Sequence, residues 1–137
     1  MFDELTKYKT NGHFFFERGH ILSKVCNAPE KAGVYYILML RKGKVELVYI
    51  GASGTINQKG EFSSQLLGGR LNNKQNGTKR QHFFGEIILL EEVDSVDIYF
   101  FVTFDKNNQH LPSYVEALLL QKHFDIYGCL PEWNNGF

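Results

Sequence analysis

Cysteine is scarce in this chain: Cys26 and Cys129 are too few and too far apart for a zinc site or a disulfide framework, and both are expected to be buried thiols. Long apolar runs are absent, since no stretch approaches the ~18 residues that a membrane span needs. The first residues, Met1-Phe2-Asp3-Glu4-Leu5-Thr6-Lys7, have neither the basic start nor the apolar run of a secretion signal. A cytoplasmic protein with no membrane partner is expected. No internal repeat or low-complexity tract interrupts the chain, and His13, His20, His82, His110 and His123 form no pair at helical metal-ligand spacing. Net charge is also missing, with 15 Lys and Arg against 15 Asp and Glu.

What is present is enough for one domain. With 137 residues, 43% of them hydrophobic, the chain can bury a core but is too short for two independent ones. The neutral total hides a gradient: residues 1–58 carry +3, residues 59–82 carry +4 and residues 83–137 carry −7. The positive middle consists of Lys59, Arg70, Lys74, Lys79 and Arg80. Phosphate attraction is screened within about 10 Å at ordinary salt, so a local basic strip can follow a nucleic-acid backbone even on a neutral protein. A solvated lysine-rich loop has the same composition.

Hydrophobic periodicity gives the layout. Val34 to Leu40 and Val45 to Ile50 are β-rich runs joined by the turn signal Arg41-Lys42-Gly43-Lys44, which predicts an antiparallel hairpin. It puts Tyr35 and Tyr49 on neighbouring strands, and because Tyr35 and Tyr36 face opposite sides, only one of them can share a face with Tyr49. Gly51-Ala52-Ser53-Gly54 then lets the chain turn away. Phe62, Leu66, Leu67 and Leu71 recur at helical spacing, with Arg70 beside that stripe. From about Thr78 to Glu91 the pattern is weakly helical, although Phe83-Phe84 and Ile87-Ile88-Leu89-Leu90 suit a strand equally. Val96, Ile98, Phe100, Val102 and Phe104 alternate as a third strand. A helix of about Pro112 to Tyr127 ends at Gly128, with Pro131 shortly after. The expected fold is α/β of the α+β type: a small, mainly antiparallel three-stranded sheet flanked by helices, in the order ββααβα. Residues 1–137 form a single domain, with 1–28 as an N-terminal extension.

Gly33-Val34-Tyr35 and Tyr49-Ile50-Gly51, separated by 13 residues, resemble the paired motif of the GIY-YIG nuclease superfamily. The resemblance runs from about Pro29 to Asn134. It includes an arginine, Arg70; a glutamate, Glu116, just before the apolar run Ala117-Leu118-Leu119-Leu120; and Leu130-Pro131-Glu132-Trp133-Asn134, which looks like the family's terminal Pro-x-x-Asn element. It selects Tyr35 over Tyr36. The gap between the tyrosine motifs is slightly long, consistent with a longer hairpin turn at Arg41 to Lys44. Between Gly51 and Arg70 lie 18 residues, more than in compact members of the family. That insertion, Ala52 to Gly69, resembles the restriction-endonuclease branch, where a lysine in the insert can assist the base; Lys59 would occupy its place. The family often has a histidine four residues beyond the arginine. Here Lys74 stands there, so either Lys74 replaces it, or His82 folds back into the site, or the function is absent.

The resemblance implies an endonuclease dependent on Mg²⁺ (or Mn²⁺), one ion per site, that hydrolyses DNA phosphodiester bonds. Tyr49 or Tyr35 would handle the proton of the attacking water, Lys59 assist, Arg70 stabilise charge, Glu116 hold the metal and Asn134 order the site. Gly51, Lys74, Lys79, Arg80 and His82 would face the nucleic acid. The residue types suit the chemistry: Mg²⁺ takes one or two carboxylates and fills its other positions with water and phosphate oxygens, and arginine offers a planar set of donors. Tyrosine, with a reference pKa of about 10, needs a nearby cation to act as a base at neutral pH. Lys59 is the local cation. Structural roles compete throughout: strand tyrosines pack their rings, Ser113-Tyr114-Val115-Glu116 has the pattern of a capping box, and Asn134 and Asn135 could be plain tail residues. The alternative function is a catalytically silent nucleic-acid-binding or regulatory module with the same fold. A single site cuts a single strand, so double-strand cleavage would require a second copy, most simply a homodimer.

Overall fold

A computed structural model describes residues 2–62 and 65–137. The chain runs from a 3-10 turn at Asp3–Leu5 through β1 (Asn11–Phe16), α1 (Leu22–Val25), β2 (Gly33–Arg41), β3 (Lys44–Ser53), α2 (Leu67–Leu71), β4 (Lys74–Gln75), β5 (Thr78–Lys79), α3 (Arg80–Leu90), β6 (Ser95–Val102) and α4 (Pro112–Tyr127). The main sheet is antiparallel and has four strands, in the order β1-β6-β2-β3. This corrects the three-stranded expectation: the added strand, β1, lies within residues 1–28 and forms the edge beside β6. Phe14 and Phe16 point into the core while Phe15 is left exposed. An outward-facing phenylalanine turns an alternating strand into an unbroken aromatic run, which conceals its period.

Each sheet face has its own cover. On one, Tyr35, Ile37, Met39, Val96, Ile98 and Phe100 pack against Leu67 and Leu71 of α2, Phe84 and Ile88 of α3, and the tail residue Trp133. On the other, Val34 and Ile50 meet Leu5, Tyr8 and the stripe Val115, Leu119 and Leu120 of α4. With Pro112 and His123, also buried, that stripe repeats at three- and four-residue steps, as a helix half-buried on a sheet requires. α4 stops at Gly128, whose φ of 71° is left-handed and whose N–H donates to the Phe124 carbonyl at 2.7 Å, the expected glycine stop. Of the cysteines, Cys26 is half-buried and Cys129 is exposed, so the latter is not the buried thiol expected. No helix among the described residues is long and apolar enough to cross a membrane.

The middle of the chain departs most from expectation. The helix expected from Phe62 is confined to Leu67–Leu71; Ser63 and Ser64 lie outside the described residues. Phe62 instead bridges Ile56 and sets its ring on Phe104, 4.9 Å between centroids. Two glycines, Gly68 and Gly69, further weaken this helix. Residues 80–90 are helical, which resolves the ambiguity between helix and strand. Ahead of them β4 and β5 form a small ribbon whose turn, Asn76-Gly77, has φ of 51° and 85°. Asn-Gly is the strongest short-range signal for such a turn.

The β2–β3 hairpin decides where the tyrosines go. Its turn is a tight two-residue one, Lys42-Gly43, with φ of 52° and 74°, so the extra length between the tyrosine motifs is not in the turn. It is a β-bulge: Leu38 pairs with Leu47, Ile37 pairs with Tyr49, and Val48 is the additional residue. Continued without slip, the register from the turn would pair Tyr49 with Tyr36, and paired residues share a face. The bulge moves Tyr49 opposite Ile37 and Gly51 opposite Tyr35, so that Tyr35 and Tyr49 lie on one face and Tyr36 on the other.

Candidate functional site

Tyr35 is 1% exposed, and its ring lies 5.9 Å from that of Tyr49 at an interplanar angle of 36°. Gly51 makes this approach possible. A Cβ there would stand 2.6 Å from Tyr35 Cζ, 2.7 Å from Tyr35 Oη and 2.7 Å from Tyr49 Cε2. The space a side chain at Gly51 would need is therefore taken by the two rings. Burial pushes the Tyr49 phenol well above the ordinary tyrosine range; Tyr35 and Glu116 add to the shift, and the positive charge of Arg80 offsets part of it.

The tail fastens this end of β3. Trp133 wedges against Phe83 and Phe84, with ring centroids 5.0 and 6.2 Å away, and its backbone N–H donates to the carbonyl of the bulge residue Val48 at 2.8 Å. Asn134 then mimics a strand partner: its Oδ1 accepts from the Ile50 N–H at 3.0 Å and its Nδ2 donates to the Ile50 carbonyl at 2.9 Å. A side-chain amide thus satisfies the free edge between Tyr49 and Gly51, which would otherwise expose unpaired backbone groups. Asn135 reaches only the Asn76 side chain, at 3.4 Å.

Arg70 approaches from α2. Its side chain is exposed at the helix end, and its Nε donates to the Ala52 carbonyl at 3.3 Å, one residue beyond Gly51. Glu116 approaches from α4. The helix begins with Pro112 in its first turn and makes no side-chain cap bond, so the capping box is not formed and Glu116 sits a full turn inside. Burial raises its carboxyl from the ordinary 4.5 to about 7, with the Arg70 guanidinium pulling the other way. Glu116 is within electrostatic reach of both Arg70 and Tyr49, and Arg70 is bonded at Ala52 to the strand that carries Tyr49.

Other expected members lie elsewhere. Lys59 is exposed near the tip of a small hairpin closed by the Ile56–Phe62 bridge, where Asn57 Oδ1 accepts the N–H groups of Lys59 and Glu61, each at 2.9 Å. Among the described residues, its ammonium makes no hydrogen bond or ion pair to Tyr35, Tyr49 or Glu116. His82 does not fold back: it is on the outer side of α3, with Nε2 2.9 Å from Glu86. Lys74 and Lys79 are exposed and face each other across the β4–β5 ribbon.

Arg80 contradicts its assignment to the phosphate-facing strip. It is 2% exposed, among the most buried large side chains. Nη2 donates to Tyr35 Oη at 3.0 Å and to the Lys74 carbonyl at 3.4 Å, and Nη1 donates to the Arg70 carbonyl at 3.0 Å. Its guanidinium carbon lies 5.2 Å from the Tyr35 ring and 6.0 Å from the Tyr49 ring. The cation beside the tyrosines is thus Arg80, where Lys59 was expected. In the sequence it looks like part of a Lys-Arg surface run, with no local signal that it turns inward.

The chain matches no protein-family model, no curated protein and no solved structure. Its function is therefore to be argued from its own residues.

Proposed function

We propose that this chain is an endonuclease of the GIY-YIG type, dependent on Mg²⁺ or Mn²⁺, that hydrolyses DNA phosphodiester bonds. The observation that supports this best is the contact of Tyr35 with Tyr49 over Gly51, with Arg70 bonded to the next residue of that strand, Ala52, and with Glu116 within electrostatic reach of Arg70 and Tyr49. Glu116 fits a hard divalent cation by its chemistry: once ionised, its half-buried carboxylate is an acceptor-only oxygen ligand, and among the described residues no side chain pairs with it. No group of three His, Cys, Asp or Glu comes together among the described residues, so such an ion would take its other ligands from water and phosphate, the arrangement Mg²⁺ favours. When bound it would draw charge from the phosphate and acidify a coordinated water.

The remaining work falls to the chain's own groups. Arg70, exposed at the helix end, offers donors to the non-bridging oxygens as charge develops there. Tyr49, held neutral by burial, is suited to donating a hydrogen bond. Tyr35, with the Arg80 guanidinium against its oxygen, is the better placed of the two to relay a proton from water, taking it only as its own hydroxyl proton passes to solvent. Asn134 keeps the β3 edge straight between Tyr49 and Gly51. Lys74 and Lys79 extend the contact to neighbouring phosphates. One observation favours the second reading, a nucleic-acid-binding module without turnover: Lys59, the expected assistant of the base, stands apart from the tyrosines.

Plasmid nicking separates the two. Conversion of supercoiled to open-circular DNA with Mg²⁺, lost with chelator and in Arg70→Ala, is expected. DNA binding with no nicking at any Mg²⁺ or Mn²⁺ concentration would leave only the silent module.

A further inference from the structure

Arg80 is a charge buried without a counter-charge. Among the described residues no carboxylate pairs with it, and its Nε has no hydrogen-bond partner. Burying an unpaired guanidinium is unfavourable, and replacing it by an apolar side chain would remove that cost. Its bonds indicate what it does instead. The Arg80 N–H donates to the Asn73 carbonyl at 2.7 Å, and its side chain reaches the carbonyls of Arg70 and Lys74 and the Tyr35 hydroxyl. One residue therefore holds the end of α2, which carries Arg70, against the strand that carries Tyr35.

We propose that Arg80 is a positioning residue of the tyrosine site: its guanidinium fixes the Tyr35 oxygen as a hydrogen-bond acceptor and ties that oxygen to the helix end that presents Arg70. A guanidinium has donors only, so the Tyr35 oxygen must accept from it, and the hydroxyl proton is directed away from Arg80. The fork geometry is essential, because a lysine ammonium is a point charge that cannot bridge the Arg70 carbonyl and the phenol in one plane. For hydrolysis this role rests on the nuclease reading above; the hydrogen-bond direction does not.

The test uses the full chain in four forms: wild type, Tyr35→Phe, Arg80→Met and the double variant, with Arg80→Lys as the charge-keeping control. The Tyr35 contribution to the tyrosine Fermi doublet in ultraviolet resonance Raman, isolated as wild type minus Tyr35→Phe, should be that of an acceptor phenol. It should change in both Arg80 variants. In nicking assays Arg80→Met and Arg80→Lys should each lower kcat by about 10²-fold, as misplacement of a reacting group does, with KM changed much less. The double variant should be no slower than the slower single one. A donor-only doublet for Tyr35 would overturn the proposal, and so would Arg80→Met and Tyr35→Phe losses that multiply. If Arg80→Met does not fold, the wild-type minus Tyr35→Phe spectrum still decides. Absence of nicking by wild type would defeat the nuclease reading and leave the spectral result standing.

Discussion

Tyr49 stands opposite Ile37 and not opposite Tyr36, and this one-residue slip is what creates a tyrosine pair. The bulge at Val48 leaves a carbonyl free for the Trp133 N–H, so the same irregularity turns Tyr49 toward Tyr35 and anchors the tail. Deleting Val48 should make the ladder regular with Tyr49 still opposite Ile37, so the tyrosine pair is kept while the carbonyl that anchors Trp133 is lost. Cross-strand nuclear Overhauser effects between Tyr49 and Ile37 should persist, and urea unfolding should show the stability lost with the tail anchor. Loss of the Tyr49–Ile37 effects would mean that the bulge itself, and not the chain on either side of it, sets the register.

Gly51→Ala probes the same corner with a single methyl group. The added carbon has nowhere to go without displacing one of two rings, and overpacking of this kind costs about 1–3 kcal/mol. Urea unfolding should show a loss in that range, with turnover reduced and DNA affinity nearly kept, since the methyl faces the rings and not solvent. A stable Gly51→Ala protein with weakened DNA binding would instead support a phosphate at this glycine.

Much of this arrangement was legible in the sequence because it is carried by period and punctuation. The β2–β3 hairpin, the alternating strand at 95–102 and the helix ending at Gly128 follow from patterns that local chemistry enforces. Tyr35, Tyr49, Arg70, Glu116 and Asn134 were singled out by their order, and Asn134 has a structural reason that order alone does not supply, its mimicry of a strand at Ile50. The misses have physical causes. Phe15 breaks the alternation of β1, and Val48 looks like any strand valine until the register is counted from the turn. Arg80 reads as surface because burial of an arginine depends on acceptors gathered from residues 35, 70 and 74, a tertiary fact with no local signature.

Arg70 and the ribbon lysines should fail differently. Arg70→Ala should lower turnover by roughly 10²- to 10³-fold, the scale for one lost transition-state donor, with a smaller loss of affinity. Lys74 and Lys79 are like charges directly opposite on a two-stranded ribbon, an arrangement that weakens a sheet. Replacing either by Thr should therefore leave the melting temperature unchanged or raise it, while weakening DNA binding regardless of sequence and reducing the salt slope by about 1 per lysine. Lower stability together with an unchanged salt slope would return the ribbon to solvated surface.

Glu116→Gln joins the electrostatic and the chemical arguments in one variant. The carboxyl titrates at about 7 in the folded protein against an ordinary 4.5, so the folded state holds the proton more tightly than the unfolded chain. Stability from this group is then fullest below about 4.5 and declines as pH rises through about 7. In chelator, Glu116→Gln should match wild type in urea unfolding at acid pH. At pH ~8 it should exceed it by on the order of 1–2 kcal/mol, a figure reduced from the full shift because solvent screens a partly exposed group. Mg²⁺ should narrow that gap by stabilising wild type alone. The same glutamine keeps size and polarity, so folding and DNA binding should persist while Mg²⁺-dependent nicking is lost. Nicking at the wild-type rate by Glu116→Gln at low Mg²⁺ would remove Glu116 as the metal ligand. Its raised carboxyl would then reflect only the desolvation of a helix residue beside Arg70.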